Sequence, residues 1–162
     1  QFALDAVEFV ADECRSRGTR LVLNAAPATV LGASVLAACD PLVVNESEAM
    51  ILLGDPPGAA SEPEAVARRL MTMGPRSVVI TLGASGSLAL GLDGIVHREP
   101  GRKVQAVDTT GAGDAFVGAL ATALAAGRSL AQGLVTATEV AAVSVQRPGA
   151  QSSYPTVAEV WK

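Results

Sequence analysis

At 162 residues, 49% of them hydrophobic and 17% charged, the chain can close one sizeable core and is too short for two independent ones. Twelve Lys and Arg stand against sixteen Asp and Glu, a net charge of −4; the basic residues are scattered, which excludes a nucleic-acid backbone as a partner. Every apolar run is broken by a charge, Gly or Pro before ~18 residues, so no membrane segment is expected and the expected setting is the cytoplasm.

The chain opens on Gln1 rather than Met, so a missing upstream segment is expected. Phe2, Val7, Phe9 and Val10, interleaved with Asp5, Glu8, Asp12, Glu13 and Arg15, fit an amphipathic helix stopping near Gly18. Residues 20–24 predict a short buried strand, 34–39 a short helix and 42–44 a second strand. Asn45 can cap a helix over 46–53 that ends at Gly54. Ser61 with Glu64 has the capping-box pattern and starts a helix over 62–73, closed by Gly74-Pro75. Residues 77–82, apolar and β-branched, predict a central strand. Gly83 and Gly86 mark a turn into 87–90, and Gly94 separates this from 95–98, which predicts antiparallel strands at a sheet edge. A further short strand is expected over 103–107. A small-residue helix over 112–126 follows, stopped by Gly127, with Ala119, Ala123 and Ala126 packing it closely on the sheet. A second long helix over 130–145 and a terminal one after Pro155 complete the chain. Strands alternating with helices imply a single α/β domain over 1–162, a mainly parallel sheet with helices on both faces. Cys14 and Cys39 match neither a zinc site nor a disulfide framework and read as buried thiols in a reducing compartment.

Three strand-to-turn junctions could carry chemistry. Asp108-Thr109-Thr110-Gly111-Ala112-Gly113-Asp114 opens a helix, where unpaired N–H groups and the positive helix end favour an anion. Gly111 and Gly113 lack the Cβ that would keep a phosphate away. Asp114 stands in the first turn, a position from which a carboxylate can take a proton from an attacking hydroxyl. Phosphoryl transfer depends mainly on positioning and charge stabilisation, so a strong base is not required. An ordinary cap with turning glycines explains these residues about as well. A Walker A loop would need Lys-Ser or Lys-Thr where Asp114-Ala115 stands, and a dinucleotide fingerprint would need a small residue where Phe116 stands. Asn45 and Glu48 offer an amide and a carboxylate that suit a hydrated Mg²⁺, or equally a capping box. Thr81-Leu82-Gly83-Ala84-Ser85-Gly86 leaves the most apolar strand through a turn against which a nucleotide could lie. His97, the one histidine, is assigned no catalytic role.

These junctions stand in a fixed order, with Asn24-Ala25-Ala26-Pro27-Ala28 ahead of them and Arg147-Pro148-Gly149-Ala150-Gln151 behind. In that order they resemble the ribokinase-like carbohydrate kinases, the phosphofructokinase-B group, most specifically over Asp108 to Phe116. The resemblance implies ATP-dependent phosphorylation of a sugar hydroxyl, D-ribose to ribose 5-phosphate first. Another sugar such as fructose, a nucleoside, or a catalytically silent nucleotide-binding fragment are the alternatives. It implies Asp114 as the base, with the amides of Gly111, Ala112 and Gly113 as the hole for the γ-phosphate. Asn45, Thr81, Leu82, Gly83, Ala84, Ser85, Gly86, Gly113 and Thr138 would contact ATP, and Glu48 would serve Mg²⁺. Asp108, Thr110, Ser144, Arg147, Gly149 and Ser153 would serve an activating K⁺, mostly through backbone carbonyls. By the same resemblance the chain is the C-terminal nucleotide-binding and catalytic half of such a kinase. The absent N-terminal portion would hold the sugar-specificity residues and a β-sheet lid that also forms a homodimer.

Overall fold

Helical spacing followed by a glycine stop sets the first element. In the computed structural model, which describes residues 4–56 and 62–160, helix α1 spans Leu4–Arg17 and ends where Gly18 takes φ +64°. Phe2 and Ser61, placed by the sequence in this helix and in a later cap, lie outside the described residues. Only Ala11 of α1 is buried, and Phe9 and Val10 stay exposed. The chain forms two units, Gln1–Thr81 with Leu88–His97, and Leu82–Ser87 with Arg98–Lys162.

In the first unit, strand β1 (Leu21–Asn24) pairs in parallel with β2 (Cys39–Asn45), and β2 in parallel with β3 (Ser77–Thr81). β2 starts earlier than its apolar run suggests because Pro41 is accommodated at a bulge: Leu21 partners Cys39, yet Leu23 partners Leu42. β1 is half-buried rather than buried, since it lies at the edge of the sheet. Strands β4 (Gly86–Gly91) and β5 (Val96–Pro100) complete the order β1-β2-β3-β4-β5. The connections on either side of β4 are too short for a crossover, so β4 runs antiparallel to both neighbours. The sheet is mostly parallel and the class is α/β. Leu42, Val43, Val44, Val78, Val79, Ile80, Leu88, Ala89 and Leu90 are buried in succession, which means that both faces of the central strands are covered.

Helices α2 (Ala33–Ala38), α3 (Glu46–Leu53) and α4 (Pro63–Met71) flank these strands. α4 buries Val66, Ala67 and Leu70 on one face and ties its other face down through Arg69 to Asp55 at 2.6 Å. Its N-cap is Glu62, with Pro63 in the first turn.

The second unit is built on α5 (Ala112–Ala125) and α6 (Leu130–Ser144), with a short α7 (Val157–Val160). α5 packs on α6. A Cβ at Gly133 of α6 would stand 2.8 Å from Leu120 Cδ1 of α5 and 3.9 Å from Ala123 Cβ, so the small residues serve helix-on-helix contact. This corrects the expectation for the alanine stripe: Ala123 faces α6, and Ala126 is exposed. The strand expected over 103–107 is also absent. Those residues are exposed and irregular, and the amides of Val107 and Asp108 both donate to one carbonyl, that of Val145, at 2.7 and 3.2 Å. The segment is held to the end of α6 instead of to a sheet ladder.

Two glycines hold the turn after β3 against the chain beyond β5. A Cβ at Gly86 would fall 2.0 Å from the Glu99 carbonyl oxygen, and one at Gly101 would fall 2.1 Å from the Ala84 carbonyl oxygen. Backbone cannot yield as a flexible side chain can. Gly101→Ala is therefore expected to cost about 3 kcal/mol, at the top of the usual overpacking range. Chemical denaturation checks this, and an unchanged midpoint would contradict it.

Candidate active site

In the first unit, the carboxyl ends of β2 and β3 bring Asn45 and Thr81 side by side as register partners. Asn45 caps α3 in a full capping box: its Oδ1 accepts from the Glu48 amide at 2.8 Å, and Glu48 Oε2 accepts from the Asn45 amide at 2.8 Å. The helix thus orients both side chains at the strand end where open α/β sheets meet ligands. Thr81 Oγ1 reaches the Val44 carbonyl at 3.5 Å. Among the described residues no group of three or more His, Cys, Asp or Glu gathers to hold a metal. A divalent ion at Glu48 would need phosphate oxygens and waters for its other ligands, which fits Mg²⁺ better than a metal caged by protein.

In the second unit, Gly83–Ser85 forms an exposed single 3-10 turn. Leu82 closes it by donating its amide to the Gly86 carbonyl at 2.8 Å. Gly83 has φ +55° and open space where a Cβ would stand, whereas Gly86 is buried against backbone. Gly83, Ala84 and Ser85 therefore offer surface, and Gly86 supports them. Thr138 on α6 is buried, its hydroxyl 3.3 Å from that of the equally buried Ser87. It braces the strand that leaves this turn.

The other turn of the second unit is organised by one carboxylate. Asp108 Oδ1 accepts from the Thr110 amide at 2.9 Å, and Oδ2 accepts from the Gly149 amide at 2.8 Å. The Thr110 side chain, then the Gly149 and Thr110 amides, hold the Asp108 carboxyl below the usual carboxylate range. A depressed value means the clasp is complete above about pH 4 and is lost only as acid protonates the carboxylate. Through it the segments 108–110 and 147–149 lie together.

Gly111, at φ +77°, is the N-cap of α5. A Cβ there would stand 3.0 Å from Ala150 and from the Tyr154 hydroxyl, so its bareness serves protein packing. Gly113 differs. Nothing lies within 4 Å of its would-be Cβ. The Ala112 amide donates to Thr109 and that of Ala115 to Gly111, while the amides of Gly113 and Asp114 donate to no carbonyl among the described residues. Two N–H groups thus point out of the positive end of a 14-residue helix, with the exposed Asp114 carboxylate in the same turn. Such an end accepts an anion.

The residues expected to serve a monovalent cation fall in the same neighbourhood. The carbonyl oxygens of Asp108, Thr110, Arg147 and Gly149 accept no hydrogen bond among the described residues. The Ser144 carbonyl, by contrast, takes the Arg147 amide at 3.2 Å. Ser144 and Ser153 are buried with their hydroxyls turned to the carbonyls of Ala141 and Ala150, so their side chains are spent locally. Unpaired carbonyls on two clasped turns are a fitting set for a hard, weakly hydrated cation.

Several supporting residues escaped the sequence reading. Gly101, Ser87 and Tyr154 act through contacts that only folding creates. Arg102 bonds Glu99 at 2.7 Å and Glu139 at 3.3 Å, and borders a cleft of about 420 Å³ with Val104, Val143, Gln146 and Glu159. The pattern Ser129-x-x-Gln132, which caps α6 as a complete capping box, was legible by its spacing alone.

Comparison with known proteins gives this geometry a family. The family model described as pfkB family carbohydrate kinase matches residues 1–157. A ribokinase of Schizosaccharomyces pombe is 39% identical over 99% of this chain and 51% of its own length. A deoxyribokinase of Salmonella typhi is 37% identical over 95% of this chain and 50% of its own. The structure of Arabidopsis thaliana ribokinase complexed with ribose and ATP superposes with a TM-score of 0.90 at 28% identity, over 98% of this chain and 51% of that one. The chain spans about half the length of the curated relatives it matches. On the family-model match over residues 1–157 and the likeness to these relatives, the chain belongs to the pfkB family of carbohydrate kinases.

Proposed function

We propose that the chain carries the phosphoryl-transfer centre of an ATP-dependent sugar kinase, with D-ribose, converted to ribose 5-phosphate, as the substrate. The observation that carries this reading is the pair of unaccepted amides at Gly113 and Asp114 beside the Asp114 carboxylate. In the reaction, the sugar hydroxyl oxygen bonds to the γ-phosphorus while the bond from that phosphorus to the departing ADP oxygen breaks. The hydroxyl proton passes to Asp114. Charge on the transferring oxygens is met by the open amides of Gly113 and Asp114; of the Gly111, Ala112 and Gly113 amides expected from the sequence, that of Ala112 is already given to the Thr109 carbonyl, and a donor set fixed in advance is free of reorganisation cost.

The turn formed by Leu82, Gly83, Ala84, Ser85 and Gly86, braced by Thr138, is assigned to the nucleotide, as are Asn45 and Thr81 at their strand ends. Glu48 would hold Mg²⁺ through water, and the ion, when bound, would neutralise the nucleotide phosphates. The carbonyls of Asp108, Thr110, Ser144, Arg147, Gly149 and Ser153 are assigned to K⁺. A deoxyribokinase at 37% identity supports deoxyribose as the second substrate to test. A longer natural form would supply the sugar-specificity residues and the lid through which two copies pair, and would work in the cytoplasm.

The assay is phosphorylation across a sugar panel with MgATP, with and without K⁺, on this chain and on a longer natural form. Ribose-dependent ADP release, stimulated by K⁺, is expected in the longer form at least; no turnover in either would overturn the reading. Asp114→Ala should lower turnover by about 100-fold or more, as loss of a general base does, with ATP affinity by calorimetry nearly unchanged. Full turnover would place the base elsewhere. Gly113→Ala separates structure from chemistry: alanine favours the helix by up to about 1 kcal/mol and meets no neighbour, so thermal stability should hold while turnover falls. Stability lost with turnover intact would mean that the glycine is structural.

A further inference from the structure

The ion pair between Arg147 and Glu159 reaches the candidate site through a continuous set of contacts. Glu159 is itself fixed: its Oε2 accepts from the Thr156 amide at 2.8 Å and from the Thr156 hydroxyl at 3.0 Å, and its Oε1 accepts from the Arg147 guanidinium. The Arg147 guanidinium first, then the Thr156 amide and hydroxyl, push the Glu159 carboxyl down to about 2. An isolated exposed pair contributes little, but this one joins two segments that each carry further hydrogen bonds. One end is the first turn of α7. The other is the 147–149 turn, whose Gly149 amide is held by Asp108 at 2.8 Å, and Asp108 in turn holds the Thr110 amide at 2.9 Å.

We infer that Glu159 is a positioning residue for the Asp108–Asp114 turn, acting through Arg147 and the Gly149 amide. It touches neither phosphate nor sugar. With Glu159 in place, the Arg147 side chain is anchored, the backbone at 147–149 keeps its amide on Asp108, and the open carbonyls of Arg147 and Gly149 stay beside those of Asp108 and Thr110. Without the carboxylate, Arg147 loses its anchor and the two clasped turns can part. The inference rests on the transfer and cation roles proposed for these turns.

Glu159→Gln tests it, because glutamine can still accept from the Thr156 amide but no longer offers a charge to Arg147. Thr156→Val is the comparison: it removes the hydroxyl bond and leaves the ion pair. In the longest active form, Glu159→Gln should raise the half-saturating K⁺ concentration about threefold to tenfold, with the KM for sugar unchanged. Exchange of the Gly149 amide, followed by NMR or mass spectrometry, should quicken by about tenfold. Thr156→Val should move neither readout, even where it lowers the melting temperature. Identical K⁺ response and Gly149 exchange in parent and Glu159→Gln would overturn the inference, as would faster exchange with an unmoved K⁺ response. A parent protein that phosphorylates no sugar would sink the kinase reading instead; Gly149 exchange would then decide the positioning role alone, unchanged exchange refuting it.

Discussion

Both oxygens of the Asp108 carboxylate are committed to backbone amides, one two residues away at Thr110 and one 41 residues away at Gly149. The candidate site in the second unit depends on that commitment. Without it, the turn that starts α5 would lose its hold on the Gly149 amide and keep only the bonds of the Val107 and Asp108 amides to the Val145 carbonyl and the packing of Gly111 on Ala150 and Tyr154. Each turn alone is short and irregular, rich in carbonyls that accept nothing among the described residues. Clasped, they bring the unaccepted carbonyls of Asp108, Thr110, Arg147 and Gly149 into one neighbourhood, next in sequence to the helix end where the Gly113 and Asp114 amides donate to no carbonyl among the described residues. On the proposed function, the same carboxylate would prepare one place for a cation and an adjoining one for an anion. A phosphoryl-transfer centre needs that pairing of charges ready before substrate arrives.

The glycines of the site divide by what stands in the place of their missing Cβ. Gly86 and Gly101 face backbone oxygen atoms at 2.0 and 2.1 Å, and Gly111 faces Ala150 and Tyr154 at 3.0 Å. Their smallness is used up inside the protein. Gly113 and Gly83 face open space, and only there does a bare backbone leave room for a ligand. A glycine-rich turn is therefore two things at once, a device for packing its own supports and a bare surface open to a ligand.

Much of the fold was legible because it is written in local chemistry. Asn45 and Gly54 bound α3 as a cap and a left-handed stop, and the β-branched run 77–80 could hardly be anything but a buried strand. Pro41 hid the start of β2, since a proline argues against a central strand until a bulge admits it. The valines at 104 and 107 suggested a strand, but their segment found its donors' acceptor in Val145, a partner no local pattern reveals. The candidate site was legible as residue types in order, and the resemblance to the family supplied their roles. The sequence could not reveal which glycine is bare for the ligand, that Thr138 meets Ser87, or that Asp108 reaches Gly149. Those facts depend on chain segments meeting across dozens of residues.

The central claim of the proposed function is that the open amides of Gly113 and Asp114 receive the phosphoryl group in transfer, with the Asp114 carboxylate against the acceptor hydroxyl. A crystal structure of the longest natural form with MgADP, aluminium fluoride and ribose tests this most directly. The account predicts the fluoride species about 2.7–3.1 Å from both amides, the distance of oxyanion-type donors, and a ribose hydroxyl within hydrogen-bond reach of Asp114. A fluoride species bound away from the start of α5, or a sugar hydroxyl held by another base, would contradict it.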